Sequence, residues 1–180
     1  MSLHRARDRR FAPWKNGGGE TAEILCHPPG AGYDDFRWRI STARVAQSGP
    51  FSTFEGVTRV LTVLDGGSMT LRIGDAAPVT LGPGMAPLRF AGDLPCDCTL
   101  HGAPLLDLNV MLRGFDCDLR PATLPATSAL RPLARLLFAL ADLPAQGLQR
   151  FDLQELSPDH ASPLPEAALI IDILPFSPGA

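Results

Sequence analysis

Thr58-Arg-Val-Leu-Thr-Val-Leu-Asp-Gly-Gly-Ser-Met-Thr-Leu-Arg-Ile73 is the stretch that decides the fold class. Its first seven residues are rich in branched side chains, which are typical of a β-strand. Asp65-Gly66-Gly67 is typical of a tight hairpin turn, and residues 68–73 predict a returning strand. The stretch therefore predicts two adjacent antiparallel strands joined by a short turn.

Short strands of the same kind are predicted on both sides of this stretch. Residues 36–45 alternate between two faces with a period of two, as a half-buried strand does. Further branched or apolar runs cover residues 21–26, 78–81, 88–90, 96–100 and 105–112. Turns are frequent because the chain holds 17 glycines and 18 prolines. Many short strands at this spacing predict an all-β sandwich or barrel.

The order of the strands repeats after a stretch rich in proline, alanine and threonine at residues 121–128. Residues 59–65, 79–81 and 105–111 are echoed by residues 135–142, 150–153 and 168–174. The spacing between the copies varies, which indicates a duplicated topology and not a solenoid. Residues 133–143 carry a conflict, because their alanine, leucine and arginine content favours a helix. We favour the strand that the repeat predicts.

Composition excludes several classes of protein. A chain of 180 residues with 45% hydrophobic content can bury a core without disulfides or a metal. The net charge of −3 and a pI near 5.7 argue against nucleic-acid binding. No apolar run approaches the length of a membrane span, and no signal peptide is visible. We expect a soluble, cytoplasmic protein with reduced cysteines and no membrane partner, while a homodimer is left open.

Metal and cofactor chemistry is not expected. The four histidines are scattered along the chain (His4, His27, His101 and His160) and form no ligand motif. Cys96 and Cys98 lack the spacing of a zinc site and are interpreted as core residues. The sequence has no Gly-x-Ser-x-Gly nucleophile elbow. We therefore predict no metal, no cofactor and no assigned catalytic residue.

Three consecutive glycines follow Lys15 and Asn16. The segment lacks the order of a phosphate-binding loop, and a turn that needs glycine's backbone freedom is the favoured interpretation. Lys15 and Asn16 nevertheless place an ammonium and an amide on a loop that is able to close over an anionic ligand. Both residues are therefore candidate ligand contacts.

Polar residues occupy strand faces that are otherwise apolar. Arg59 shares a face with Leu61 and Val63, and Arg39 shares one with Ser41. In the strand at residues 105–112, the set Asp107, Asn109 and Met111 alternates with an aliphatic set. A solvated face is one interpretation of each pair. Together they predict a barrel interior that binds a small carboxylate, because arginine offers a fork matched to carboxylate oxygens.

The second copy has Ile-Ile-Asp-Ile-Leu at residues 170–174, where the first has Asp-Leu-Asn-Val-Met. It is interpreted as having lost most of the polar face. The ligand pocket is accordingly predicted in the first copy, within about residues 20–118. Arg59 is predicted to be the principal carboxylate contact, with Arg39, Asn109 and the Lys15–Asn16 loop contributing less.

Five motifs in series resemble the HutD/Ves family. They are Pro13-Trp-Lys-Asn-Gly-Gly-Gly19, Phe36-x-Trp-Arg-Ile-Ser41, Gly49-Pro-Phe-Ser-x-Phe-x-Gly-x-x-Arg59, Phe90-x-Gly-Asp93 and Asp107-Leu-Asn-Val-Met111. The resemblance is dense over about residues 11–120. It implies a single compact bicupin of residues 1–180, with two small antiparallel β-barrels. The larger lobe would cover about residues 20–118 and the smaller one about 119–180, completed by N-terminal residues.

The resemblance also implies a function. HutD proteins accompany histidine utilisation and are thought to sense an intermediate such as urocanate or N-formylglutamate without catalysis, whereas Ves members have no settled role. A non-catalytic, carboxylate-binding regulatory protein is therefore the favoured hypothesis. Two alternatives remain open. One is a metal-free cupin enzyme, an isomerase or lyase using Asp107 or His101 as acid or base. The other is a structural or protein-interaction module.

Overall fold

The computed structural model describes residues 2–176 and contains only β-strands and two short 3-10 turns in that range, at Ala6–Asp8 and Pro144–Gln146. The strands are β1 (Leu3–His4), β2 (Ala12–Pro13), β3 (Gly19–His27), β4 (Trp38–Val45), β5 (Gly49–Phe51), β6 (Thr58–Ile73), β7 (Val79–Leu81), β8 (Leu88–Ala91), β9 (Cys96–Leu112), β10 (Phe115–Pro121), β11 (Ala134–Ala139), β12 (Leu153–Leu156) and β13 (Ala168–Pro175). The predicted all-β class is confirmed.

The strands belong to two compact units. The central unit is Arg10–Arg113, and the terminal unit combines the residues up to Arg9 with those from Gly114 onward. The central unit holds an eight-stranded antiparallel sheet in the order β2-β3-β4-β9-β6-β7, with β5 paired to β9 and β8 paired to β6. The terminal unit holds a five-stranded antiparallel sheet in the order β1-β12-β11-β13-β10. In both units the paired strands follow an open path.

The hairpin predicted at residues 65–67 is wrong, because β6 continues through it. β6 pairs with β9 along its whole length, from Thr58 opposite Leu112 to Ile73 opposite Cys96. The register shifts between Val63 and Asp65 and again between Gly66 and Ser68. The central sheet is therefore built on one pair of long, bulged strands.

Close backbone contact explains the two glycines at these bulges. Gly66 has a φ of +91°, and a Cβ atom there would lie 2.2 Å from the carbonyl oxygen of Pro104. At Gly67 a Cβ atom would lie 2.2 Å from the carbonyl oxygen of Ala103. Glycine is needed here so that β9 can approach a bulged partner, and not to reverse the chain.

Within residues 133–143, whose composition favours a helix, Ala134–Ala139 form the strand β11. β11 lies between β12 and β13 and pairs with both. Its last four side chains are at most 2% exposed, so both of its faces are buried. Pairing on two sides and burial on two faces outweigh a helix propensity of a few tenths of a kcal/mol per residue. The strand that the repeat predicts is confirmed.

The core of the central unit is aliphatic and includes the two cysteines of β9. Cys96 and Cys98 are each 3% exposed and pack with Leu61, Met69 and Leu71. Burial raises the pKa of Cys98 to about 12, so this thiol stays protonated at neutral pH. Both cysteines are core residues, as predicted. No helix between residues 2 and 176 is long and apolar enough to cross a membrane.

Candidate functional site

The polar residues of β4, β6 and β9 lie on one face of the central sheet. Met111 pairs with Arg39 of β4 and Arg59 of β6, Asn109 pairs with Ser41 and Leu61, and Asp107 pairs with Ala43 and Val63. Residues two apart on a strand share a face, so these three rows lie side by side. We call Arg39, Ser41, Arg59, Asp107, Asn109 and Met111 the polar face, and each is at most 9% exposed.

The Arg59 guanidinium lies among three phenylalanine rings. Its Cζ atom is 5.0 Å from the ring centroid of Phe90, 5.5 Å from that of Phe51 and 5.9 Å from that of Phe54. Phe90 stands opposite Arg59 in the register of β6 and β8. Each ring face attracts a cation, and burial lowers the pKa of Arg59. This ring cage was not predicted, although its three phenylalanines occur in the motifs quoted above.

Arg59 has no carboxylate at ion-pair distance in the part of the chain that the structure describes. Its Nε atom is buried and has no hydrogen-bond partner among these residues. The Asp107 carboxylate acts on Arg59 through space and opposes the lowering of its pKa. Arg59 is thus a buried cation held by rings and not by a bonded anion.

Arg39, in contrast, is already paired. Its Nε atom donates to Oε2 of Glu23 at 2.8 Å, and its Cζ atom lies 4.3 Å from the ring centroid of Tyr33. Glu23 comes from β3, opposite Ser41 in the register. Arg39 is therefore less available than Arg59 to a ligand carboxylate. Glu23 was not predicted as a site residue. Nothing in the local sequence pairs it with Arg39, and only the alternation of side chains along β3 indicates which face it occupies.

Asp107 and Asn109 bring two acceptor groups to the same face. Burial raises the pKa of Asp107 to about 7, against the opposing effects of Arg59 and of the backbone N–H of Ala43. The Oδ1 atoms of Asp107 and Asn109 are both buried and have no hydrogen-bond partner among residues 2–176. Buried polar atoms are nearly always bonded, so this face is equipped for a polar ligand.

Two loops cover the polar face, and Arg113 joins them. The ring of Tyr33 stacks on Phe54 with centroids 5.6 Å apart. The Arg113 guanidinium donates to the carbonyl oxygen of Glu55 at 2.7 Å and to that of Tyr33 at 3.1 Å. One arginine thereby holds together the loop before β4 and the loop before β6.

Replacing Arg113 by alanine should loosen this cover. Two hydrogen bonds from a charged donor contribute on the order of 1–3 kcal/mol, so local opening should become roughly 5- to 160-fold more frequent. Limited chymotrypsin digestion measures this directly, because Phe54 is partly buried against Arg59 and Tyr33, so cleavage after it requires opening. Arg72→Ala, at an exposed arginine of β6, is the control. Equal cleavage rates in the two variants would contradict the role given to Arg113.

Lys15 and Asn16 are not placed on the polar face. Both are exposed, and Asn16 bonds within its own loop and to the carbonyl oxygen of Pro50 at 3.4 Å. The glycines beside them serve the backbone: Gly17 has a φ of +71°, and a Cβ at Gly19 would lie 2.3 Å from the carbonyl oxygen of Arg44. The loop reaches Arg59 only indirectly, through Phe51.

The interpretation that the second copy has lost most of its polar face is wrong. Asp172 of β13 accepts from Arg135 at 2.7 and 3.0 Å and from Arg120 at 3.0 Å. Arg120 also donates to Asp118 at 2.9 Å. Asp118, Arg120 and Asp172 are each at most 7% exposed. The copy keeps buried charges, but these charges are paired with one another.

An open cavity of about 530 Å³ lies in the terminal unit. It is lined by Arg5, Arg7, Asp142, Pro144, Gly147, Leu148 and Gln149. Within residues 20–118, in contrast, the rings of Phe51, Phe54 and Phe90 close over Arg59 of the polar face. No group of three or more metal-ligating side chains occurs within the described range.

Comparisons with known proteins give a consistent result. The family model HutD matches residues 6–155. Protein Ves of Citrobacter koseri is 46% identical over 105 residues, which are 58% of this chain and 53% of that protein. An uncharacterized 21.2 kDa protein from the hutC 3′ region of Pseudomonas putida is 41% identical over 111 residues, 62% of this chain and 57% of that one. The matches thus span little more than half the length of these relatives.

A solved structure matches nearly the whole chain. The structure of HutD from Pseudomonas fluorescens SBW25 superposes with a TM-score of 0.80 at 29% sequence identity. The match covers 98% of this chain and 99% of that one. The all-β fold is therefore similar to a solved fold over nearly the whole length of this chain.

Proposed function

Since this chain belongs to the HutD family, we propose that it is a non-catalytic accessory protein of histidine utilisation that binds a small carboxylate on the polar face. Urocanate and N-formylglutamate are the proposed ligands. The relative from the hutC 3′ region supports the connection with histidine utilisation. We further propose a bicupin architecture, with one small barrel in about residues 20–118 and another in about 119–180, completed by N-terminal residues.

The observation that carries this proposal is that Arg59 is buried without a bonded carboxylate in the described part of the chain. The corresponding arginine of the internal repeat does have one. The sequence repeat places Arg135 of β11 where the first copy has Arg59 of β6. Arg135 is bound at both ends of its fork by Asp172, whereas Arg59 has no bonded carboxylate among the described residues. A buried guanidinium without a paired anion is unfavourable by several kcal/mol. A ligand carboxylate would supply at Arg59 what Asp172 supplies at Arg135.

Binding would proceed through groups already in place. A carboxylate would accept two parallel hydrogen bonds from the Arg59 fork, while the rings of Phe51, Phe54 and Phe90 exclude water and strengthen the attraction. Ser41 and Asn109 lie in the next row and offer neutral hydrogen bonds. The covering rings have to move aside for a ligand to reach this face. The loop of Lys15 and Asn16 would contribute through its contact with the Phe51 segment.

Calorimetric titration with urocanate and N-formylglutamate tests the proposal. Arg59→Ala should weaken binding by about 2–4 kcal/mol, roughly 30- to 1,000-fold, as for other buried charged pairs. Arg59→Lys should restore little, because an ammonium group does not reproduce the planar fork. Arg72→Ala, on the same strand but exposed, should bind as wild type does.

Two results would overturn the proposal. One is an unchanged affinity in Arg59→Ala, which would place the ligand elsewhere. The other is the absence of saturable binding of either carboxylate to the wild-type protein. Heat signals that persist in Arg59→Ala but vanish with changes at Arg5 and Arg7 would instead assign binding to the open cavity of the terminal unit.

A metal-free enzyme is the second candidate function, and Asp107 is the observation that favours it. A carboxyl group with a pKa of about 7 exchanges protons readily at neutral pH and suits a general acid or base. His101 is less suitable, since it is exposed and its ring nitrogen Nε2 is bonded to the Thr70 hydroxyl at 2.8 Å. Proton NMR of urocanate incubated with the protein would reveal isomerisation or hydration, and Asp107→Asn should abolish either.

A further inference from the structure

We propose that the ligand carries an N–H donor in addition to its carboxylate, and that Asp107 and Asn109 bind this donor at the end of the polar face away from Arg59. The inference rests on the proposed function and narrows its ligand class. The site would take small carboxylates that bear an imidazole, amide or ammonium N–H and would discriminate against plain carboxylates of the same shape.

The buried donor and acceptor atoms that lack hydrogen-bond partners among residues 2–176 determine which ligands fit the polar face. On the polar face they are one donor, Nε of Arg59, and two acceptors, Oδ1 of Asp107 and Oδ1 of Asn109. A carboxylate satisfies the donor but leaves both acceptors without a hydrogen. A buried acceptor that is left without a hydrogen bond is destabilising. A ligand that satisfies the whole face therefore needs hydrogen-bond donors as well as a carboxylate.

The position of Asp107 supports its role as an acceptor. It stands opposite Ala43 of β4 and Val63 of β6, and its Oδ1 atom has no hydrogen-bond partner among the described residues. This oxygen is therefore available to accept a hydrogen bond from a ligand. Asp107 is 2% exposed and Asn109 is 9% exposed, so neither acceptor depends on bulk solvent.

The distance between the Asp107 row and the Met111 row of the polar face indicates how far apart the two ends of the ligand bind. Asp107 and Met111 are four residues apart on β9, which corresponds to about 13 Å along a strand. Arg59 stands opposite Met111, and its long side chain shortens the distance to be spanned. Asn109 lies in the row between. This order places the carboxylate at one end of the ligand and the N–H donor at the other.

A pair of ligands of the same shape tests the inference. Urocanate and trans-cinnamate share a planar acrylate carboxylate, but urocanate has an imidazole N–H where cinnamate has only ring C–H groups. Calorimetry with the full-length protein should show that Asp107→Leu lowers the urocanate-to-cinnamate affinity ratio by about tenfold or more relative to wild type. Cinnamate affinity itself should change less than about threefold. Asp97→Leu, at an exposed aspartate of β9, should leave the ratio unchanged.

The outcomes separate this inference from the proposed function. If both acids bind and need Arg59, but the ratio is the same in wild type and Asp107→Leu, the donor site is overturned and carboxylate binding stands. If neither acid binds to wild type, both proposals are overturned together. A cooperative thermal transition confirms before titration that the variant is folded, because removal of one charge from a buried pair is destabilising. Asn109→Leu, which removes the neighbouring acceptor without a change of charge, should lower the ratio in the same direction.

Discussion

Replacing Asp172 by alanine should destabilise the protein by about 3–5 kcal/mol, as removal of one partner from a buried ion pair does. The Asp172 carboxylate accepts from Arg135 through both oxygens and from Arg120 through one. Its loss leaves Arg135 without its bonded carboxylate, while Arg120 keeps Asp118 as a carboxylate partner. Urea unfolding followed by circular dichroism measures the change in the free energy of unfolding.

The chain provides a matched control on its surface. Asp159 accepts from Nε and an Nη of Arg131 just as Asp172 does from Arg135, but its side chain is 65% exposed. Exposed ion pairs contribute little because water screens them, so Asp159→Ala should hardly move the unfolding midpoint. A loss for Asp172→Ala as small as that of the control would contradict the structural weight given to the buried network.

Stability should also depend on pH through Asp107. Its pKa is raised from 3.8 to about 7, so between these values the folded state holds a proton that the unfolded state has released. The folded state therefore loses relative stability as the pH rises from about 4 to 7, by about 4 kcal/mol for a difference of some three pH units. Asp107→Asn removes this dependence, because an amide does not titrate.

The measured quantity is the difference in the free energy of unfolding between Asp107→Asn and wild type. This difference should move in favour of the variant by about 4 kcal/mol between pH 4 and pH 7. Taking the difference cancels the titration of all other groups. Asp97→Asn on the exposed side of β9 should show no such trend. A difference that does not vary with pH would show that Asp107 titrates normally in the folded protein.

Alternation of side chains predicted the polar face from the sequence. Arg59, Asp107 and Asn109 interrupt apolar faces at a period of two, and this period depends only on the geometry of a strand. Which of these residues lie side by side depends on the registers of β4 and β6 against β9. No local pattern in the sequence specifies these registers. The same limit explains why the partner of Arg39, Glu23, was missed.

The errors arose where long-range pairing overrode a local signal. Asp65-Gly66-Gly67 has the composition of a hairpin turn, but β9 passes so close that the glycines relieve a clash instead. The lone Asp172 among isoleucines suggested a lost polar face, since its arginine partners lie on other strands. In both cases the sequence indicated that the residue was unusual at its position. The fold was needed to identify the distant segment that it contacts.

The division of the chain also bears on the order of events during synthesis. The central unit is continuous in sequence, so all of its strands have been made once residue 113 has emerged. Strand β1 pairs with β12, at Leu3 opposite Gln154 and His4 opposite Leu153. At about 5–20 residues per second, the ribosome needs roughly 7–30 s to make the segment between these partners. The earliest strand of the chain must therefore wait for nearly the last one before its sheet can form.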